Sequence, residues 1–343
     1  MAAPAVAVVI VTYESAGAIP ATLRAVQAQL REGDELVVVD NASSDGSAAA
    51  ARAAAPGATV VDLAGNGGFT AGCLAGAAAS SAPLLFFLNP DAVLAPGSLE
   101  ALRAAADEHP RWGAWQAMVL LPGGQRINSS GGVVHWLGLA WAGGLDAAVP
   151  APPGPPHEVA FASGAALVVR RSAWEEVGGF DADWFMYVED VDLSLRLRLA
   201  GWGVGVVPAA SVEHDYDFDK GDYKWFHLER NRWWSLLSSY PAPLLALVAP
   251  PLLLFDVALL AVAAQGGWLG PKLRAQAAVV RSLPRVLARR RAIQARRAIS
   301  PGAFADWLTP ALDSPSLGGP AKQPAVRWLV TAYWRAIRLL LPT

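Results

Sequence analysis

The residues of this chain best placed for chemistry are acids that follow apolar runs. Asn89-Pro90-Asp91 comes directly after Leu84-Leu85-Phe86-Phe87-Leu88, a run that reads as a buried strand. A carboxylate there sits at the carboxyl end of a strand, where open α/β sheets bind ligands in the crevice beyond. The same tripeptide also forms ordinary turns, so Asp91 alone decides nothing. Three further places share its character: Asp40 after Leu36-Val37-Val38-Val39, the pair Glu189-Asp190 before Val191-Asp192, and His214 within Val212-Glu213-His214-Asp215. Each has a plain alternative. Asp40 could cap a helix, Asp190 could be a surface acid favoured by a helix dipole, and His214 could be a hydrogen-bonded loop histidine.

The elements that must carry these groups follow from periodicity. Val6 to Val11 is continuously apolar and β-branched, the pattern of a strand buried on both faces. Ile19, Leu23, Val26 and Leu30 then mark one stripe of a helix with Pro20 in its first turn. Leu36 to Val39 reads as a second strand, closed by the turn-rich Asp40 to Ser47, and Ala48 to Ala55 as a second helix. Thr59 to Leu63 makes a third strand; Asn66-Gly67-Gly68-Phe69 leads into a small-residue helix, and the Leu84 to Leu88 strand follows. This alternation predicts a doubly wound, mostly parallel sheet. Thr12-Tyr13-Glu14-Ser15 stands after the first strand instead of a glycine fingerprint, which argues against a nicotinamide or flavin enzyme.

Farther on, Ser98 reads as the N-cap of a helix ending near His109, and Ala165 to Val169 as a strand returning to the sheet. Pro150 to Pro156 is a surface loop. Val191, Leu193, Leu195, Leu197 and Leu199 alternate with polar residues as in a strand, yet Leu and Arg favour helix and Gly201 would close one. Acids crowding the start of this stretch favour the helix.

With 343 residues, 54% of them hydrophobic, the chain can hold one large or two moderate domains around a real core. Its net charge of −2 hides a stretch, Lys272 to Arg297, with nine basic residues and no acid, which calls for an anionic neighbour. The lone Cys73 excludes an internal disulfide and fits a reducing compartment. Ala5 to Val11 has no basic leader or cleavage-like site, so it reads as a strand and not a signal peptide. No internal repeat is evident.

Taken together and in order, Val9-Ile10-Val11-Thr12-Tyr13, Val37 to Ser47, Asn66 to Phe69, Phe87 to Asp91, Gly164 to Arg170 and Gly178 to Trp202 resemble family 2 glycosyltransferases with the GT-A nucleotide-sugar fold. The likeness is to the branch of rhamnosyl- and galactofuranosyltransferases, and it covers roughly residues 5 to 235. It implies an α/β GT-A domain over 1–235, with a Rossmann-like, mostly parallel sheet flanked by helices. A helical carboxyl-terminal region would follow over 236–343. It further implies inverting transfer of a sugar from a nucleoside diphosphate donor, with dTDP-rhamnose in view, to a cell-surface glycan or lipid-linked acceptor. By this resemblance Asp91 holds a divalent cation, Mg²⁺ or Mn²⁺, with His214 as a second ligand, and Asp190 of the Glu189-Asp190 pair is the base that takes the acceptor's proton. Asn89, where many relatives have an aspartate, would contact sugar or ribose. Thr12, Tyr13, Glu14 and Asp40 would line the base and ribose pocket with Asn66 and Gly67 close by, and Trp184 and Tyr187 would stack on the acceptor or else pack in the core. A nucleotidyltransferase would carry a glycine-rich loop with Arg and a catalytic Lys after the first strand, and none is present. A sugar- or nucleotide-binding regulator with a relict site stays open.

Beyond this, Leu244 to Ala264 is apolar except for Pro250, Pro251 and Asp256, and long enough to span a bilayer. A single span would put the basic stretch opposite a cytoplasmic catalytic domain, against the positive-inside tendency. A re-entrant or interfacial segment bent at the prolines leaves both flanks at the cytoplasmic face, where the arginines can meet anionic headgroups. Arg327, Thr331, Arg335 and Arg338 form a narrow polar stripe on an apolar helix with Trp328 and Trp334, which also suits a membrane surface. A helical domain packed on the core, or an oligomer interface, would bury the same faces. The basic run has no recognisable nucleic-acid-binding module around it, which argues against nucleic acid.

Overall fold

The computed structural model describes residues 4–215, 221–314, 318 and 323–342. The chain forms two compact units. The first comprises Met1–Gly132, Ala142–Leu197 and Trp202–Asp217, and the second Val133–Trp141, Arg198–Gly201 and Phe218–Thr343. The division expected at 235 falls inside a helix, Asp222–Ser239.

In chain order the strands are β1 (Val6–Thr12), β2 (Glu35–Asp40), β3 (Thr59–Asp62), β4 (Leu84–Leu88), β5 (Ala92–Leu94), β6 (Trp112–Leu120), β7 (Ile127–Ser129), β8 (Gly132–His135), β9 (Ala140–Ala142), β10 (His157–Glu158), β11 (Ala166–Arg170), β12 (Gly203–His214) and β13 (Leu308–Thr309). The helices are α1 (Ile19–Gln27), α2 (Ser47–Ala54), α3 (Gly68–Ala78), α4 (Ser98–Glu108), α5 (Arg171–Val177), α6 (Glu189–Leu199), α7 (Asp222–Ser239), α8 (Ala242–Gln265), α9 (Leu269–Ala295), α10 (Pro301–Ala305) and α11 (Pro324–Leu340).

The first unit is built on one sheet in the order β10-β12-β6-β11-β4-β1-β2-β3, with β5 on β12 and β7 on β6. β4, β1, β2 and β3 are all parallel, as the strand and helix alternation predicts. The other half is mixed: β11 is antiparallel to both β4 and β6, while β12 runs parallel to β6. Successive residues of β1 serve opposite faces, because side chains alternate along a strand. Val8 and Ile10 pack with Leu23 of α1, Ala51 of α2 and Leu102 of α4. Val9 and Val11 pack with Cys73 of α3, Trp174 of α5 and Leu193 of α6. α3 lies close on the sheet because it presents glycine there: a Cβ on Gly72 would stand 2.4 Å from Val11 Cγ1.

One local expectation changes and one holds. The cap of α4 is Gly97, in the left-handed conformation; Ser98 is already helical, and its hydroxyl donates to Ser211 O at 3.1 Å, joining α4 to β12. α6 is helical, and its alternation misleads because almost every side is covered: Asp192, Ser194, Arg196 and Arg198 are buried along with Leu193, Leu195, Leu197 and Leu199.

The second unit is helical, with a small sheet in the order β13-β8-β9. Trp136 stacks on Trp334 of α11 at 5.9 Å between centroids. α8 runs as one helix through Pro250 and Pro251, so the bend expected there does not interrupt it. Lys272 is completely buried; its Nζ lies 2.6 Å from Glu229 Oε2 and 3.0 Å from Asp256 Oδ1, and Arg232 Nη2 lies 2.9 Å from that same Asp256 oxygen. One cation of the basic stretch therefore has its anions within the protein, on α7 and α8.

Candidate functional site

The sheet brings Thr12, Asp40 and Asp62 level at the ends of β1, β2 and β3. Asp40 Oδ2 accepts from the Ser43 amide at 2.9 Å, and the buried neighbour Asn41 donates through Nδ2 to Gly68 O at 3.0 Å. Thr12 Oγ1, Asp40 Oδ1 and Asn41 Oδ1 are buried without a hydrogen-bond partner. Buried polar atoms in this condition are costly unless something satisfies them, and the head of the parallel strands gathers three of them. Asn41 was not singled out by sequence, because an asparagine in a turn cluster has the same local signature whether it folds the turn or faces a ligand.

Around these groups the chain is stapled. Glu14 Oε1 accepts from the Ser44 amide at 2.7 Å and the Ser44 hydroxyl at 3.0 Å, and the Ser15 and Ala16 amides donate to Ser47 Oγ and Asp45 Oδ2. Glu14 thus ties the loop after β1 to the loop after β2, while Tyr13 is half exposed at 50%.

The glycine loop is shaped by protein contacts. Asn66 Oδ1 accepts from Gly68 N at 2.9 Å. Gly68 has φ +80°, and a Cβ there would stand 2.3 Å from Phe185 O, so the close approach requiring glycine is to another loop. Gly67, the glycine expected beside the donor, has φ −88°. Thr70 N donates to Phe185 O at 3.1 Å. The loop it holds contains three non-glycine residues in the left-handed region: Phe185 (φ 65°), Tyr187 (φ 68°) and Val188 (φ 69°). Such a conformation is uncommon and, for β-branched valine, strained. Trp184 is 1% exposed; it packs in the core and offers no face for stacking, which corrects the expectation of a sugar platform there.

That strained loop delivers Glu189 and Asp190 at the start of α6. Asp190 is partly exposed. Its Oδ2 accepts from Gly164 N at 3.0 Å and its Oδ1 from its neighbour Val191 N at 2.8 Å. Burial raises its carboxyl above the ordinary aspartate value, against the pull of these two amides. Glu189 is buried, its Oε2 has no partner, and burial followed by the charge of Asp190 lifts it well above the usual carboxylate range. Burial thus disfavours the charged form of both carboxyls, and more strongly at Glu189.

On the other side of β11, Asn89 N donates to Ala165 O at 3.1 Å. Asp190 and Asn89 are therefore tied to adjacent residues, Gly164 and Ala165, where β11 begins. His214, nearly buried at the end of β12, puts Nε2 3.2 Å from Asp91 Oδ1 and 3.2 Å from Asn89 Nδ2. The antiparallel register of β5 with β12, which sets His214 opposite Ala92, brings this about. Among the described residues no group of three or more His, Cys, Asp or Glu gathers as a metal cage. Asp91 and His214 are a converging carboxylate and imidazole, a donor set that suits Mn²⁺ or Mg²⁺ when ligand oxygens complete the shell.

A Rossmann-like sheet with acids at its strand ends is the architecture of nucleotide-sugar transferases of the GT-A type. Solved structures of like fold include GalNAc-T7 with UDP, GalNAc and Mn²⁺ (TM-score 0.58, 15% identity, 70% of this chain and 49% of that one). A second is a mannosyltransferase from Pyrobaculum calidifontis with GDP-Man and Mn²⁺ (TM-score 0.50, 18% identity, 98% and 86%). A third is S. aureus TarS 1-349 (TM-score 0.51, 13% identity, 98% and 88%). The glycosyl transferase family 2 model matches residues 7–131, and the glycosyl transferase family group 2 model residues 84–269. The N-acetylglucosaminyl-diphospho-decaprenol L-rhamnosyltransferase of Mycobacterium tuberculosis is 34% identical over 239 residues, which cover 60% of this chain and 75% of the relative. The chain belongs to glycosyltransferase family 2, on the rhamnosyltransferase side of it.

Proposed function

We propose that the chain transfers rhamnose from a dTDP donor, with inversion, to a lipid-linked acceptor sugar carried on a diphosphate, at the inner face of the cell membrane. The observation that carries this is the connection of Asp190 to Gly164 and of Asn89 to Ala165, with Asn89 and Asp91 both reaching His214. The residues read as base and as cation ligands are thereby tied to the same end of the central strands β4 and β11. The acceptor chemistry is that of the mycobacterial relative.

Asp190, held ionised by two amides, accepts the proton of the acceptor hydroxyl as it attacks the anomeric carbon. The bond to the diphosphate breaks on the opposite face, which inverts the centre and needs no sugar-enzyme bond. Asp91 and His214 hold the divalent cation, which when bound supplies Lewis-acid neutralisation of the departing diphosphate. Thr12, Asp40 and Asn41 satisfy the nucleoside, with Tyr13 beside it. Burial of Glu189 disfavours a second charge beside the base.

The test is a pair of variants assayed with dTDP-rhamnose, Mn²⁺ and a lipid-linked N-acetylglucosamine acceptor. Asp190→Asn is expected to keep the Mn²⁺-dependent thermal shift with dTDP while transfer falls by about 10²–10⁴. Asp91→Ala is expected to lose that shift. Unchanged transfer in Asp190→Asn would remove the base assignment, and a metal-independent shift in the parent would remove the cation.

A further inference from the structure

α8 has two unlike faces. Leu244, Val248, Leu252 and Asp256 point inward and are buried, whereas Leu253, Leu254, Val257 and Val262 are exposed at 60%, 72%, 64% and 43%. With 24 residues it measures about 36 Å, more than the ~30 Å of a bilayer's hydrocarbon core. Length and composition therefore allow a span. What opposes one is Asp256 on the inward face, bonded to Lys272 of α9 and Arg232 of α7. To cross, α8 would carry this carboxylate into hydrocarbon either stripped of both cations or together with α7 and α9. Among the described residues only α8 is apolar enough for that passage.

The outward surface also has the wrong chemistry for water. α11 lies against α8, with Tyr333 Oη donating to Leu247 O at 2.9 Å, and it exposes Trp328 (71%), Leu329 (61%) and Leu340 (67%). Its exposed charges are Arg327 and Arg335, and on α9 they are Arg274, Arg281, Arg285 and Arg291. α8, α9 and α11 contain a single acid, the buried Asp256. An apolar strip with a tryptophan, on helices whose exposed charges are all arginines, complements an anionic lipid leaflet; the exposed Asp222 of α7 lies 4.0 Å from Arg274.

We propose that α8 and α11 form a monotopic docking surface for an anionic bilayer. α8 lies along the headgroup boundary with Leu253, Leu254 and Val257 in the acyl region, and its tie through Asp256 to Lys272 and Arg232 keeps it from crossing. The choice of a bilayer as occupant rests on the lipid-linked acceptor proposed above.

The experiment uses the full chain without any sugar substrate, so its outcome is separate from that of the transfer assay. The parent is floated with vesicles of equimolar phosphatidylcholine and phosphatidylglycerol, and with phosphatidylcholine alone. Recovery is expected only with the anionic vesicles, and Leu254→Glu, at an exposed position, is expected to lower partitioning by about tenfold or more. Ala242→Cys and Gln265→Cys, at the two exposed ends of α8, are then labelled on bound vesicles with an impermeant maleimide; the native Cys73 is fully buried. Both positions should label from outside. Protection of one of them would mean a span, and flotation that is absent, or equal for parent and Leu254→Glu, would overturn the docking surface.

Discussion

Two neighbouring carboxyls with unequal surroundings set the acid-base behaviour of the site. Asp190 receives amides from Gly164 and Val191, while Glu189 Oε2 receives nothing. Since burial disfavours a charge on Glu189, Glu189→Gln should leave transfer near the parent rate, in contrast to the loss in Asp190→Asn. A base works ionised, so activity is lost as pH falls through its pKa. Because that pKa is raised, the acid limb of the kcat profile should lie above the ordinary aspartate range, and Glu189→Gln should barely move it. A pH series on both proteins decides. Asp91, Asp190 and His214, the residues of the proposed site, stand out in the sequence because each sits at a strand end or helix start. Asn41 and the amide of Gly164 do not, since one looks like turn filler and the other has no side chain to notice. Trp184 shows the opposite error: an aromatic next to a site has the same letter whether it faces substrate or core.

At the scale of elements, the loop before α6 decides where Asp190, the proposed base, points. A methyl on Gly68 would meet the Phe185 carbonyl, so Gly68→Ala is expected to displace the 185–188 turn and lower kcat while donor affinity, read by dTDP thermal shift, changes less. Val188 tests the same loop from within. Relief of its left-handed backbone by Val188→Gly should return about 1 kcal/mol of stability, visible as a higher Tm, at the cost of a less firmly held Asp190 and slower transfer. The parallel strands were readable because their runs are apolar without interruption and their helices have one buried stripe. α6 has no such stripe, being covered on nearly all sides, and its periodicity therefore pointed two ways. α8 keeps its helix despite two prolines, the first exposed on its outer face, where a lost backbone bond need not be buried.

Across the molecule, charge is not arranged as composition suggests. The basic stretch reads as a partner for an external anion, yet Lys272 answers to Glu229 and Asp256, a pairing invisible until α7, α8 and α9 are assembled. Burial works to raise both acids, and the cations more than offset it, leaving Glu229 and Asp256 below their ordinary values. Their contribution to stability is therefore present near neutrality and is lost as pH falls through those lowered values. Asp256→Ala, which leaves two buried cations, Lys272 and Arg232, to share Glu229, should cost about 3–5 kcal/mol in denaturant unfolding. The same arrangement bears on how the enzyme can be shortened. Ending the polypeptide after residue 235 or 240, to shed its greasy tail, would remove Asp256 and Lys272 and leave Glu229 and Arg232 on an α7 stripped of α8 and α9. Such a fragment should precipitate for want of a fold, and a trimmed version that dissolves has to sacrifice α7 as well.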